Sequence, residues 1–235
     1  MIRITFDSNC IFLLDEEERE TTFVQDLVKY HNQGKITIQV PLITVYENRP
    51  GAGERRGMPL DRYSDSWVNL ESVLRRENKR RGFTREPAYL PRYAIMVEPE
   101  LYPSENLCVA GEETIALFKK VKDIIHPEID FERMLQETQK ENPEAEFAPA
   151  WRGAYVDIHV CLNHIISNAD FLLSKDKDIY GKAKELEHCG ARWVLSFSVD
   201  DQKILRDAIN NSAPTARGKR GNKSSEKNSP KNKGK

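Results

Sequence analysis

Two segments of this chain end alike, with acids placed just past an apolar run. Ile2 to Phe6 alternates, is rich in β-favouring residues, and stops at Asp7-Ser8-Asn9. Phe171-Leu172-Leu173 is continuously apolar and stops at Ser174-Lys175-Asp176-Lys177-Asp178. Such a run fits a strand buried on both faces of a parallel sheet, although a buried helix gives the same short pattern. Parallel strands present side chains to a crevice at their carboxyl ends. Lying side by side, these two strands would place Asp7 and Asp176 at one edge of one sheet. The plainer reading of Asp176 and Asp178 is that they open a helix, and for Asp178 that reading is preferred.

Two further acids fall at the same edge. Lys35 to Val40 alternates as a second strand, Pro41 follows, and a short helix over Leu42 to Glu47 puts Glu47 just past it. Read alone, Glu47 is an ordinary solvated helix residue. Asp157 lies in the second turn of a helix expected over 152–168, which precedes the strand 170–173. Carboxylates gathered this closely repel one another, and one would stay protonated at neutral pH without a counter-charge. A hard divalent cation, Mg²⁺ or Mn²⁺, takes carboxylate oxygens with few protein ligands and removes that conflict. The chemistry open to such a site is metal-assisted phosphodiester hydrolysis.

Other chemistries lack their residues. His159 and His164 share a helix at a spacing of five, which does not set both on one face as a zinc pair requires. No P-loop, Gly-x-Gly-x-x-Gly or nucleophile elbow appears. Cys10, Cys108, Cys161 and Cys189 have no Cys-x-x-Cys spacing, and they read as reduced thiols of a cytoplasmic protein. No apolar run reaches membrane-spanning length.

The elements that must position the acids alternate strand and helix at both ends of the chain. A helix is expected from Thr21-Thr22 to a stop at Gly34, with Phe23, Leu27 and Val28 on one face. After the strand 170–173, a helix over 179–188, a strand over 192–197 and a final helix opened by Ser198-Val199-Asp200-Asp201 complete the rhythm. This pattern predicts an α/β fold, a parallel sheet with helices on both faces. Residues 49–150 break it: a loop over 49–59, a helix over 61–79, an irregular stretch over 87–107 with a short strand at 93–97, and helices over 112–125 and 128–139. The 61–79 helix and the residues after it carry Arg75, Arg76, Lys79, Arg80, Arg81 and Arg85, which suit either a helix dipole or a phosphate backbone. Residues 98–146 carry a net −8, which turns that stretch away from nucleic acid or toward a basic partner.

The arrangement resembles the PIN-domain nucleases, VapC-type toxins among them. The resemblance rests on IRITFDSN at 2–9, VPLITVYE at 40–47, AYVDIHVCLNHII at 154–166, ADFLLSKDKDI at 169–179 and WVLSFSVDDQKIL at 193–205. It implies a PIN-like three-layer fold over 1–212, with a core of 1–48 and 151–212 and a mostly helical insertion at 49–150. It further implies Asp7, Asp157 and Asp176 as metal ligands, Glu47 completing a four-carboxylate catalytic site, and Ser8, Asn9 and Ser174 orienting those carboxylates. Asp178 is a further supporting candidate. Ser174 stands where the family has Thr, and both supply a hydroxyl. The implied activity is a metal-dependent endoribonuclease with RNA as substrate; single-stranded DNA stays open, as does the oligomeric state. Three alternatives remain: the toxin of a toxin–antitoxin pair, bound by an antitoxin or other protein partner; a non-catalytic RNA- or protein-binding module; and a flavodoxin-like domain whose acidic pocket serves another purpose, such as phosphoryl transfer.

The last 23 residues, 213–235, have no large apolar side chain and carry +7, leaving −8 on 1–212 of a chain whose net charge is −1. They cannot bury enough surface to offset the entropy of ordering, so a disordered basic tail is expected, suited to touching nucleic acid.

Overall fold

The computed structural model describes residues 1–15, 20–46, 67–94, 107–141 and 152–212. The tail at 213–235 lies outside them. The main sheet has five strands: β1 (Ile2–Phe6), β2 (Ile36–Pro41), β3 (Ala88–Leu90), β6 (Phe171–Leu173) and β7 (Trp193–Leu195). Their order is β3-β2-β1-β6-β7, and every pair is parallel. β1 is central, with Ile4 opposite Ile38 on one side and Phe171 on the other. From β1 the chain winds outward to β2 and β3, then returns to the other side for β6 and β7. The carboxyl ends of β1 and β6 therefore flank the point where the winding reverses, where open parallel sheets leave a crevice.

Side-chain alternation along the strands divides the core between two faces. On one, Ile4, Phe6, Ile38, Val40, Phe171, Leu173 and Leu195 pack with Phe23, Val24 and Leu27 of α2 (Thr21–Asn32) and with Leu205 and Ile209 of the last helix, Val199–Ser212. On the other, Leu172 and Val194 pack with α4 (Glu112–Ile125), through Phe118, Val121 and Ile125, and with α6 (Arg152–Ile166), through Ile158 and Leu162. Helices thus cover both faces, as the alternating pattern implies. β6 is apolar at every position because Phe171 and Leu173 face one layer and Leu172 the other. Burying each of these side chains contributes roughly 1.5–3 kcal/mol.

The structure departs from expectation in four places. First, residues 87–107 are not irregular throughout. Ala88–Leu90 joins the main sheet beside β2, and β4 (Arg92–Ala94) pairs in parallel with β5 (Leu107–Val109) as a separate two-stranded sheet. The 49–150 segment thereby shares the main sheet, and through Phe118 and Val121 it shares the core. Three-residue strands are too short to show a period, and Pro87 and Pro91 sit just outside β3, where a missing N–H is tolerated.

Second, the turn after β2 is a 3-10 helix, Leu42–Tyr46, and Glu47 lies outside the described residues. Third, the helix expected over 179–188 is two helices, α7 (Lys177–Tyr180) and α8 (Ala183–His188). They meet at Gly181, where a Cβ would stand 2.5 Å from the Lys177 carbonyl oxygen. Fourth, β7 ends at Leu195 because Asp201 accepts hydrogen bonds from both the backbone N–H and the hydroxyl of Ser196.

Candidate metal centre

Asp7 leaves β1 in extended conformation and caps α1 (Ser8–Phe12). Its Oδ1 accepts from the Ser8 N–H at 2.6 Å and the Ser8 hydroxyl at 3.2 Å. Its Oδ2 accepts from Asn9 Nδ2 at 3.2 Å and from Ser174 Oγ at 2.7 Å. The Asp7 N–H donates to the Leu173 carbonyl at 3.1 Å, so the ends of β1 and β6 are tied by backbone as well. Asp7 is fully buried. Burial pushes its carboxyl from 3.8 up to about 6; the Ser174 hydrogen bond opposes the shift, the Asp157 charge adds to it, and the Ser8 hydrogen bonds oppose it.

Ser174 makes a second contact that organises the turn: its Oγ accepts the Asp176 N–H at 2.9 Å. Asp176 then caps α7, its Oδ1 accepting the Asp178 N–H at 2.8 Å. Asp178 therefore does open a helix. The same cap that starts α7 holds Asp176 just past the end of β6, and Ser174 links it to Asp7. Ser8, Asn9 and Ser174, expected to orient the carboxylates, all bond Asp7 directly.

Asp157 comes from α6, with its side chain 13% exposed. Burial raises its pKa; the His126 hydrogen bond opposes this, the Asp176 charge adds, the His126 charge opposes, and the Asp178 charge adds. Asp157 thus feels Asp176 and Asp178, from the end of β6 and from α7, and itself acts on Asp7 at the end of β1. Cys161, one helical turn further on, registers the same gathering. Its thiol is pushed well up by burial first, then by Asp157, Asp7 and Asp176. Cys10 is also pushed up, by burial and then by Asp7, and its Sγ donates to the Leu173 carbonyl at 3.0 Å. Both are packed thiols rather than nucleophiles.

The residue that sequence reasoning missed is His126. Its Nε2 donates to Asp157 Oδ2 at 3.1 Å, and its Nδ1 lies 3.6 Å from Glu128 Oε1. The Asp157 hydrogen bond raises the His126 pKa, burial opposes it, and the charges of Asp157, Glu128 and Asp178 add. Within this pair the two partners respond differently: attraction dominates at His126, whereas burial outweighs the same attraction at Asp157. A lone His before Pro127 at the end of an apolar helix gave no hint of a partner 31 residues away.

The other expectations sort cleanly. His159 is a core histidine, bonded to the Tyr155 carbonyl at 2.9 Å and set against the Phe118 and Tyr155 rings. His164 is buried against Thr5, with Nδ1 at 3.3 Å from its hydroxyl. Three of the six cations in the basic cluster are tied to acids: Arg81 and Arg80 to Asp15, Arg80 also to Glu77, and Arg75 to Glu86.

The donor set is carboxylate throughout, with a desolvated acid at its centre, and this chemistry fits a hard divalent cation. Among the described residues, no three His, Cys, Asp or Glu side chains are already grouped to hold an ion. No described helix is long and apolar enough to cross a membrane. The chain matches no protein-family model, no curated protein and no solved structure. What the fold defines is a class: an α/β protein with a five-stranded parallel sheet, in which Asp7 and Asp176 cap helices just past the ends of β1 and β6.

Proposed function

We propose that this protein is a PIN-like, metal-dependent endoribonuclease. One observation carries the reading. Asp7, Asp157 and Asp176 leave three separate elements, yet Asp157 acts electrostatically on Asp7, Asp176 acts on Asp157, and all three act on Cys161. Desolvated acids that act on one another at the switch point of a parallel sheet mark a candidate functional site. Mg²⁺ or Mn²⁺ bound there supplies Lewis-acid polarisation of a phosphoryl oxygen and an activated water. Asp7, Asp157 and Asp176 would hold the ion, with Glu47 as the fourth carboxylate. Ser174 and Asn9 hold Asp7 Oδ2, and Ser8 bonds Oδ1 twice, so the carboxylate's rotation is fixed and one of these donors, the Ser8 hydroxyl at 3.2 Å, would turn aside for an ion. RNA is the proposed substrate, by the resemblance.

The test is cleavage of a labelled single-stranded RNA by the full chain in Mn²⁺. Asp176→Asn is expected to reduce the rate by at least a hundredfold, and a chelator to stop it. Cleavage that survives both sinks the proposal. A second reading, a non-catalytic binding module, draws on the finding that no three ligands among the described residues are pre-grouped for an ion. RNA binding without cleavage, unaffected by Asp176→Asn, would favour it. The toxin version adds growth arrest on expression, relieved by the same substitution.

A further inference from the structure

We infer that His126 is a positioning residue for Asp157, supplied to the site by the segment between the two sequence halves of the core. The inference rests on the metal-centre reading above and adds a part to it. His126 stands at the end of a well-anchored helix. α4 packs on α6 through Phe118, whose ring centroid is 5.9 Å from that of Tyr155 and 5.4 Å from that of His159. α5 (Phe131–Glu141) covers the contact, with Phe131 at 6.1 Å from Tyr155. These contacts lie two residues and less than one turn from Asp157 on α6. The helix that delivers His126 is therefore fixed against the helix that carries its target.

The backbone at His126 is held too. Its N–H donates to the Lys122 carbonyl at 2.8 Å, and its own carbonyl accepts from the Ile129 N–H at 3.2 Å. The ring is only 11% exposed and has a carboxylate at each nitrogen, Asp157 at 3.1 Å and Glu128 at 3.6 Å. Glu128 is 67% exposed, so the line runs from solvent, through the imidazole, to the acid cluster. An N–H aimed at one carboxylate oxygen fixes the carboxylate's rotation. With Oδ2 engaged by His126, Oδ1 is the oxygen that Asp157 would have left for an ion. Groups that hydrogen-bond a metal ligand set its orientation, and their loss costs about 10–100-fold in affinity.

A purely architectural role, a strut between α4 and α6, predicts something else: an altered melting temperature with metal affinity unchanged. The experiment therefore reads Mn²⁺ binding by calorimetry and by the Mn²⁺ electron paramagnetic resonance signal, using the metal alone and the full chain. His126→Asn keeps an amide but is too short to reach Asp157; His126→Gln places its amide nitrogen near the position of Nε2. We expect His126→Asn to raise the Mn²⁺ Kd about 10–100-fold and His126→Gln to restore most of it. Melting curves in chelator report the architectural contribution separately. Equal Mn²⁺ affinity in the Asn variant and the wild type, with Asp176→Asn abolishing binding, overturns the role of His126 and leaves the metal centre standing. A Gln variant as weak as the Asn variant also overturns it, because the hydrogen bond would then not be the active feature. A wild type that binds no Mn²⁺ overturns both.

Discussion

Replacing Asp7 by Asn should make the metal-free protein more stable at neutral pH. Asp7 is fully buried, and burial lifts its pKa from 3.8 to about 6. Because the folded pKa lies above the unfolded one, the associated stability is fully present below pH 3.8 and is lost as pH rises through about 6. The shift corresponds to about 3 kcal/mol lost by pH 7.5. Asn removes that ionisation. It also replaces Oδ2, which accepts from Asn9 and Ser174, by an amide nitrogen. The Ser174 hydroxyl can reorient and Asn9 must turn, at about 1 kcal/mol. The net expectation is a gain of about 2 kcal/mol at pH 7.5, or roughly 4–8 °C in Tm. The gain should vanish at pH 4, where wild-type Asp7 is protonated in the folded state. Urea denaturation of both proteins in chelator, from pH 4 to pH 8, measures it. In millimolar Mn²⁺ the order should reverse, since only the wild type gains from the ion by mass action. An Asn variant that is less stable than wild type by the same amount at every pH refutes the reasoning, because Asp7 would then be a structural acceptor and not a frustrated charge.

Ser174→Ala removes one donor from Asp7 and one acceptor from the Asp176 N–H, so it should cost about 1–3 kcal/mol and raise the Asp7 pKa further; carbon-13 NMR of the carboxyl reads the second effect. His164 is held down to about 4 by burial, with Nε2 unpartnered, so stability is lost as pH falls from 6.5 toward 4. His164→Leu should match wild type within about 1 kcal/mol at pH 8 and exceed it by about 2–3 kcal/mol at pH 4.5; equal pH profiles would contradict the burial argument. Leu172→Ala, at the centre of the sheet, should cost about 2–5 kcal/mol by chemical denaturation. Deleting 213–235 should weaken RNA binding and flatten its salt dependence.

The α/β fold was legible because long apolar stripes and buried strands leave strong patterns. Phe171-Leu172-Leu173 followed by an acidic turn marked the strand and the place where it ends. The helix at Glu112–Ile125 was legible to the residue, since its apolar positions recur over 14 residues. β3 was not legible, because three residues between two prolines carry no period. Ser8, Asn9 and Ser174 were found through the resemblance, and the structure has all three bonded to Asp7. Asp176 was offered as either a site acid or a helix cap, and it caps α7 while acting on Asp157. His126 was out of reach for a different reason. Its partnership with Asp157 exists only through the packing of α4 on α6, and a contact made by tertiary packing has no local signature. Glu47 falls outside the described residues, so its expected place at the sheet edge stays a proposal.

A cation held between acids at the ends of β1 and β6 is the central claim. Crystals soaked in Mn²⁺ and measured near the manganese absorption edge test this directly. The account predicts an anomalous peak about 2.1 Å from carboxylate oxygens of Asp7, Asp157 and Asp176. A peak elsewhere on the surface, with those three carboxylates bare, would contradict it.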